Sequence, residues 1–237
     1  MNGRGDDPDE KNRHPGRFER GIDRYFLQHA DADVRGTGGR DQLSGNRDFQ
    51  RPFRRFCGVV PDGDWEAYTN GLAEGIRALE RAGADFAVIA SNTPHIVYDE
   101  LVKRVSLPVI HIAEALAAEA QEKGFKKLAL LGTMATMNAD FYQRVLARYG
   151  IECFVPGDKQ KGIIQAVLDA ELYKGIINEA SRTQYIEIIS EMKEAGADAV
   201  ILGCTEIPML ISDANSPSPT LDSSLLLARA ALDRSLA

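Results

Sequence analysis

One stretch of this chain constrains its fold more than any other, because it occurs twice. Ala82–Pro94 (AGADFAVIASNTP) lies over Ala195–Ile207 (AGADAVILGCTEI) without a gap, so that Gly83 falls on Gly196 and Ser91 on Cys204. The Ala-Gly-Ala-Asp start is identical, the residues after it are apolar in both copies, and each copy follows an amphipathic segment. The shared unit reads as a helix, a glycine-ended turn, a buried strand and a polar tip, and its repetition predicts a duplicated α/β architecture. Each tip then sits just past the carboxyl end of its strand, where open parallel sheets bind ligands. Two such sheets facing each other aim Ser-Asn-Thr and Cys-Thr-Glu at one cleft.

The rest of the chain from Asp64 onward carries the same grammar. WEAYTNGLAEGIRALERAG, PHIVYDELVKRV, AEALAAEAQEKG, ADFYQRVLARYG, KGIIQAVLDAELYKG, TQYIEIISEMKEAG and SSLLLARAALDRSL have helical spacing. LPVIHI, KKLALLG, IECFVP and PTLD read as strands between them. Strands alternating with helices predict parallel βαβ units with right-handed crossovers. The expected division is a first α/β domain made of residues 63–108 plus 215–237, and a second of residues 109–214.

Residues 1–62 stand apart. Within the first 60 residues there are eleven arginines and nine glycines but only six Val, Ile or Leu. So few aliphatic side chains offset little of the entropy cost of ordering, which predicts an atypical, poorly ordered N-terminal segment.

A formal charge of −7 argues against a nucleic-acid partner, which calls for a basic face. No apolar run approaches the roughly 18 to 20 residues needed to span a bilayer, and the N-terminus has no apolar core of a signal peptide. Cys57, Cys153 and Cys204 are too scattered for a disulfide framework or a zinc site, so the expected setting is the cytoplasm. No metal, nucleotide or pyridoxal motif is visible, and no cofactor is expected.

The chemistry is concentrated in the two tips. A cysteine at a strand end, followed by a turn into a helix, is expected to be partly exposed and near helix N–H groups, both of which favour thiolate. Thr205 can donate to a substrate oxygen, and Glu206 can orient a proton or an ammonium group. The alternative for any single cysteine is a small buried apolar residue, which suits Cys153 better than Cys204. Two groups that pass protons from opposite sides of one carbon are what stereoinversion there requires. Ser91 is a much weaker acid than a thiol and needs a neighbouring base. His95 serves as that base only if the loop folds back, since on a continuing helix it lies one turn away.

SNTPH, LALLGTMATM followed by NADFY, and ILGCTEIP together resemble the aspartate/glutamate (Asp/Glu/hydantoin) racemase superfamily, especially its aspartate racemase-like members. The resemblance runs from about Asp64 to the C-terminus. It implies a cofactor-independent amino-acid racemase built of two pseudo-symmetric, flavodoxin-like α/β halves with the site in the cleft between them. Members carry a cysteine in each tip. Cys204 matches the second, while Ser91 occupies the first. By the same resemblance Asn92, Thr93 and Thr205 hold the substrate's α-carboxylate and amino groups. Gly132, Thr133 and Thr136, in the GTMAT turn, add backbone and hydroxyl donors. An ordinary strand-to-helix connection capped by a threonine explains that turn equally well. Lys174 is the nearest basic candidate for a side-chain carboxylate. His111 has a site reading and a structural one. Relatives are often dimers, so a homodimer is expected on that ground.

The leading expectation is a racemase of a small acidic amino acid, with Cys204 and Ser91 as the catalytic pair. The alternatives are a single-cysteine decarboxylase or isomerase of small dicarboxylates, and a non-catalytic protein that binds an acidic metabolite.

Overall fold

The computed structural model describes residues 63–236, and the expectation for residues 1–62 lies outside the described residues. The architecture is α/β, with two parallel sheets. The chain enters helix α1 (Trp65–Arg81), whose first turn is closed by the Asp64 carboxylate accepting from the Ala67 N–H at 2.9 Å. Strand β1 (Ala87–Val88) follows, then a 3-10 turn over Thr93–Val97 and the short α2 (Tyr98–Leu101). Strand β2 (Val109–Ile110) pairs with β1 in parallel. Tyr68, Leu72, Ala73 and Ile76 of α1 bury against Ala87, Ile89, Val97, Leu101 and Leu107, which makes this first unit's core.

The larger unit runs from α3 (Ile112–Glu122) through β3 (Lys127–Gly132), α4 (Met134–Asn138), α5 (Phe141–Arg148) and β4 (Glu152–Phe154). It continues with α6 (Asp158–Ala170), a 3-10 turn over Leu172–Lys174, α7 (Glu179–Glu194) and β5 (Ala199–Gly203). The short α8 (Ile207–Leu210), β6 (Thr220–Asp222) and α9 (Ser223–Leu236) complete it. Its four strands lie in the order β4-β3-β5-β6, all parallel. Side chains alternate across the sheet with the period of two that a strand imposes. Leu128, Leu130, Ala199 and Ile201 bury against α3, α5 and α9, whereas Ala129, Leu131, Val200 and Leu202 bury against α6 and α7. Both faces are covered, which is why these strands read as continuous apolar runs.

The boundaries between units differ from those drawn on the sequence. Residues 109–110 hydrogen-bond to β1 in the first sheet, and residues 220–222 add the edge strand to the second. Backbone pairing decides this, and a short strand's residues do not reveal which neighbour they will pair with.

The repeat is kept in backbone detail. Gly83 and Gly196 both take a left-handed conformation, with φ of 83° and 93°. The Ala84 N–H reaches the Leu79 carbonyl at 3.1 Å, and Ala197 reaches Met192 at 3.0 Å, the closing bond of a glycine-ended helix in each copy.

Candidate active site

Both tips lie past the carboxyl ends of their strands, as the repeat predicts, Cys204 directly after β5 and Ser91 three residues beyond Val88 of β1. The second is brought close to the GTMAT turn by a pair of glycines. Gly132 and Gly203 lie opposite each other in the β3–β5 register. A Cβ on Gly132 would stand 2.8 Å from the Gly203 carbonyl oxygen, and one on Gly203 would stand 2.9 Å from the Leu131 carbonyl oxygen. Only glycine allows the two strand ends to approach so closely.

Cys204 is only 7% exposed, and its Sγ donates to Glu206 Oε2 at 2.9 Å. Burial raises the thiol's pKa well above the usual range, and the charge and hydrogen bond of Glu206 raise it further. This corrects the expectation of an exposed cysteine that favours thiolate. The helix after it, α8, has four residues, and the acidic neighbour outweighs its N–H groups. A backbone hydrogen bond at Glu206 and the Tyr173 hydroxyl act in the opposite sense. The resting group is therefore a thiol with a carboxylate poised to take its proton and a phenol poised to stabilise the resulting anion. Glu206 spends its carboxylate on Cys204 and makes no side-chain cap on α8. Thr205 is exposed at the tip.

The first tip is built differently. Ser91 is partly buried, and its hydroxyl has no hydrogen-bond partner among the described residues. His95 is fully buried and folds back onto the Ser91 carbonyl, with Nδ1 at 2.9 Å from that oxygen. Its Nε2 accepts from the Ile112 N–H at 3.2 Å, so the proton sits on Nδ1 and donates to the carbonyl. Burial, helped by the nearby His111, pushes its pKa down to about 3. His95 is thus a neutral cross-brace and not a base for the Ser91 hydroxyl. His111 takes its structural reading. Its Nδ1 accepts from the Ala113 N–H at 3.0 Å and caps α3, and burial lowers its pKa to about 4. Tyr98 and Phe141 pack on the two imidazoles and hold them there.

Asn92 is buried with both ends of its amide engaged. Tyr142 Oη donates to its Oδ1 at 2.6 Å, and its Nδ2 donates to Ser223 Oγ at 3.1 Å. Thr93, Thr133 and Thr136 converge, with Thr93 Oγ1 at 3.4 Å from each of the other two hydroxyls and Thr133 at 2.9 Å from Thr136. Thr133 also caps α4, accepting from the Thr136 N–H at 3.1 Å. The capping alternative for the GTMAT turn is therefore realised, and the same turn meets the first tip.

Lys174 is exposed on the 3-10 turn, and its neighbour Tyr173 is the residue that reaches Cys204. Sequence reading missed Tyr173 because nothing in LYKG tells which side chain turns inward. Tyr142 and Ser223 were missed for a similar reason, since each reads as an ordinary residue of an amphipathic helix. Cys153 sits in β4 as a packed thiol, with burial pushing its pKa up to about 12. Among the described residues, no helix is long and apolar enough to cross a membrane.

Comparison with known proteins agrees with this geometry. The chain is 29% identical over 175 residues to the broad specificity amino-acid racemase RacX of Bacillus subtilis (strain 168), covering 73% of this chain and 75% of that one. It is 29% identical over 135 residues to the glutamate racemase of Shewanella sp. (strain MR-7), covering 56% of this chain and 48% of that enzyme. Among solved structures, an aspartate racemase homologue from Pyrococcus horikoshii OT3 superposes with a TM-score of 0.68 at 28% identity, covering 92% of this chain and 95% of that one. Residues 52–231, which include both tips and the turn between them, match the Asp/Glu/hydantoin racemase family, and the chain belongs to that family.

Proposed function

We propose that this chain is a cofactor-independent racemase of the aspartate/glutamate type, exchanging the Cα proton of a small acidic amino acid. The observation that carries the reading is the Cys204–Glu206 pair at the carboxyl end of β5. In the forward step the Cys204 proton passes to the Glu206 carboxylate, and the thiolate takes the α-proton. The Cα–H electron pair moves into the substrate carboxylate, giving a planar carbanion. Ser91 then delivers a proton to the far face and is reprotonated by water, while Glu206 returns its proton to water, which restores the starting state. The Tyr173 hydroxyl lowers the cost of the transient thiolate, which burial raises. The hydroxyls of Thr93, Thr133, Thr136 and Thr205 bind the α-carboxylate and amino groups, and Lys174 is the nearest candidate for the side-chain carboxylate.

The test is solvent deuterium uptake at Cα of L- and D-aspartate and glutamate, with Cys204→Ala as control. Uptake with inversion that disappears in the control supports the reading, and uptake that survives Cys204→Ala refutes it. Ser91→Cys sharpens the result, because a second thiol at the matched position should raise inversion.

A second reading has a specific observation in its favour. His95 is engaged by the Ser91 carbonyl and gives the hydroxyl no base, and in this reading proton delivery is confined to the Cys204 face, as in a single-cysteine decarboxylase or isomerase of small dicarboxylates. Exchange with retention would select it.

A further inference from the structure

The two tips belong to different sheets, yet a proton-transfer pair must hold its members within a fraction of an ångström of their working separation. A buried chain of hydrogen bonds runs between them. Tyr142 Oη donates to Asn92 Oδ1 at 2.6 Å, Asn92 Nδ2 donates to Ser223 Oγ at 3.1 Å, and Ser223 Oγ donates to the Leu202 carbonyl at 2.9 Å. Asn92 adjoins Ser91, and Leu202 stands two residues before Cys204 on β5. We infer that Tyr142, Asn92 and Ser223 form a positioning network that sets the Ser91 tip against the Cys204 tip, which makes Asn92 a positioning residue where family resemblance suggests a substrate ligand.

Three features support this. The donors all point the same way along the chain, so each bond polarises the next, and the members are buried, where solvent does not weaken them. Burial also keeps the Tyr142 hydroxyl protonated and thus a donor. Ser223 is itself fixed from both sides. Leu202 pairs with Asp222 across β5–β6, and the Asp222 carboxylate accepts the Ser224 and Leu225 N–H groups at 2.9 and 3.1 Å, clamping the start of α9. The exposed ion pair Arg144–Asp99 also joins α5 to α2, but a solvent-exposed pair fixes geometry weakly.

The inference rests on the racemase reading, and its test separates the two. Tyr142→Phe and Ser223→Ala in the full chain are assayed for racemisation and for deuterium wash-in with L- and D-glutamate and L- and D-aspartate. Tyr98→Phe, which loses a comparable hydroxyl bond to the Val109 carbonyl, is the control for general loosening. A tip displaced by about 1 Å costs on the order of 100-fold in the step it performs. Inversion should therefore fall at least tenfold (about that, on the same scaling) in both network variants. Wash-in at the Cys204 face should fall less, with KM little changed, so that inversion per exchange drops. The same ratio in the wild type and in both folded network variants overturns the inference while leaving the Cys204 reading intact. Exchange that survives Cys204→Ala overturns the Cys204 reading instead. A substrate-free measurement closes the remaining gap. The thermal midpoints of Tyr142→Phe, Ser223→Ala and the double variant should be non-additive, because both act through Asn92, and additivity also overturns the network.

Discussion

The two tips share a backbone and differ in chemistry. Each follows a helix closed by a left-handed glycine and a strand of buried apolar residues. At the second tip the polar groups stay available to one another, with the Cys204 thiol on the Glu206 carboxylate and the Tyr173 phenol beside it. At the first tip the side chains of Asn92 and His95 are spent on structure. Asn92 is engaged at both ends of its amide by Tyr142 and Ser223, and His95 spans from the Ser91 carbonyl to the start of α3. The repeat therefore places Ser91 and Cys204 at equivalent positions, and the packing around them gives the thiol a carboxylate partner and sets the serine beside a neutral imidazole brace.

The largest effect should come from breaking this asymmetry at its reactive end. Cys204→Ala is expected to lower α-proton exchange by about 100- to 10,000-fold, the usual worth of a positioned acid–base group. Ser91→Ala should lower exchange at the Cys204 face by less than about tenfold while removing inversion. Equal losses at both tips, measured by nuclear magnetic resonance in heavy water, would mean that the tips are chemically equivalent after all.

The brace makes its own prediction, in stability. His95 and His111 are held neutral in the fold, with pKa values near 3 and 4 against about 6.5 when unfolded. As pH falls below about 6.5 the unfolded chain binds protons that the folded chain does not. The stability they contribute is therefore whole above that pH and is lost progressively as pH falls toward 4 and below. The limiting slope is about 1.4 kcal/mol per pH unit for each histidine. Urea midpoints taken from pH 7.5 to 4.5 should fall more steeply for the wild type than for His95→Gln, which does not titrate. Parallel curves would remove His95 from the account.

The smallest effect concerns the thiol alone. Glu206→Gln removes the negative charge that helps to hold Cys204 protonated, so the thiol pKa should move down. Alkylation of Cys204 near neutral pH should then speed up by several-fold, on the order of fivefold. Unchanged or slower alkylation would remove the Glu206 charge as a cause of the raised thiol pKa.

What could be read from the chain follows from periodicity and local chemistry. The repeat, its glycine-ended helices, the buried strands and the α/β class are all written in short windows, because helix caps and strand alternation depend on neighbours in sequence. Cys204 as the reactive candidate was legible for the same reason, since polar residues follow it at once. Other features depended on segments far apart in the chain. The pairing of residues 109–110 with β1 and of 220–222 with β5 is one of them, because pairing partners are chosen across space. Tyr173, Tyr142 and Ser223 came to the tips through the path of the chain over the sheet, and no local pattern marks them.

The sequence by itself determined the duplicated α/β frame and the two matched tips, because those follow from interactions between near neighbours. The tertiary structure alone decided the burial, the hydrogen-bond partners and the protonation of the tip residues. Whether a thiol, an imidazole or an amide faces water, a carboxylate or another amide is fixed by which distant segments pack over it. Burial and hydrogen bonding to those segments then set its charge.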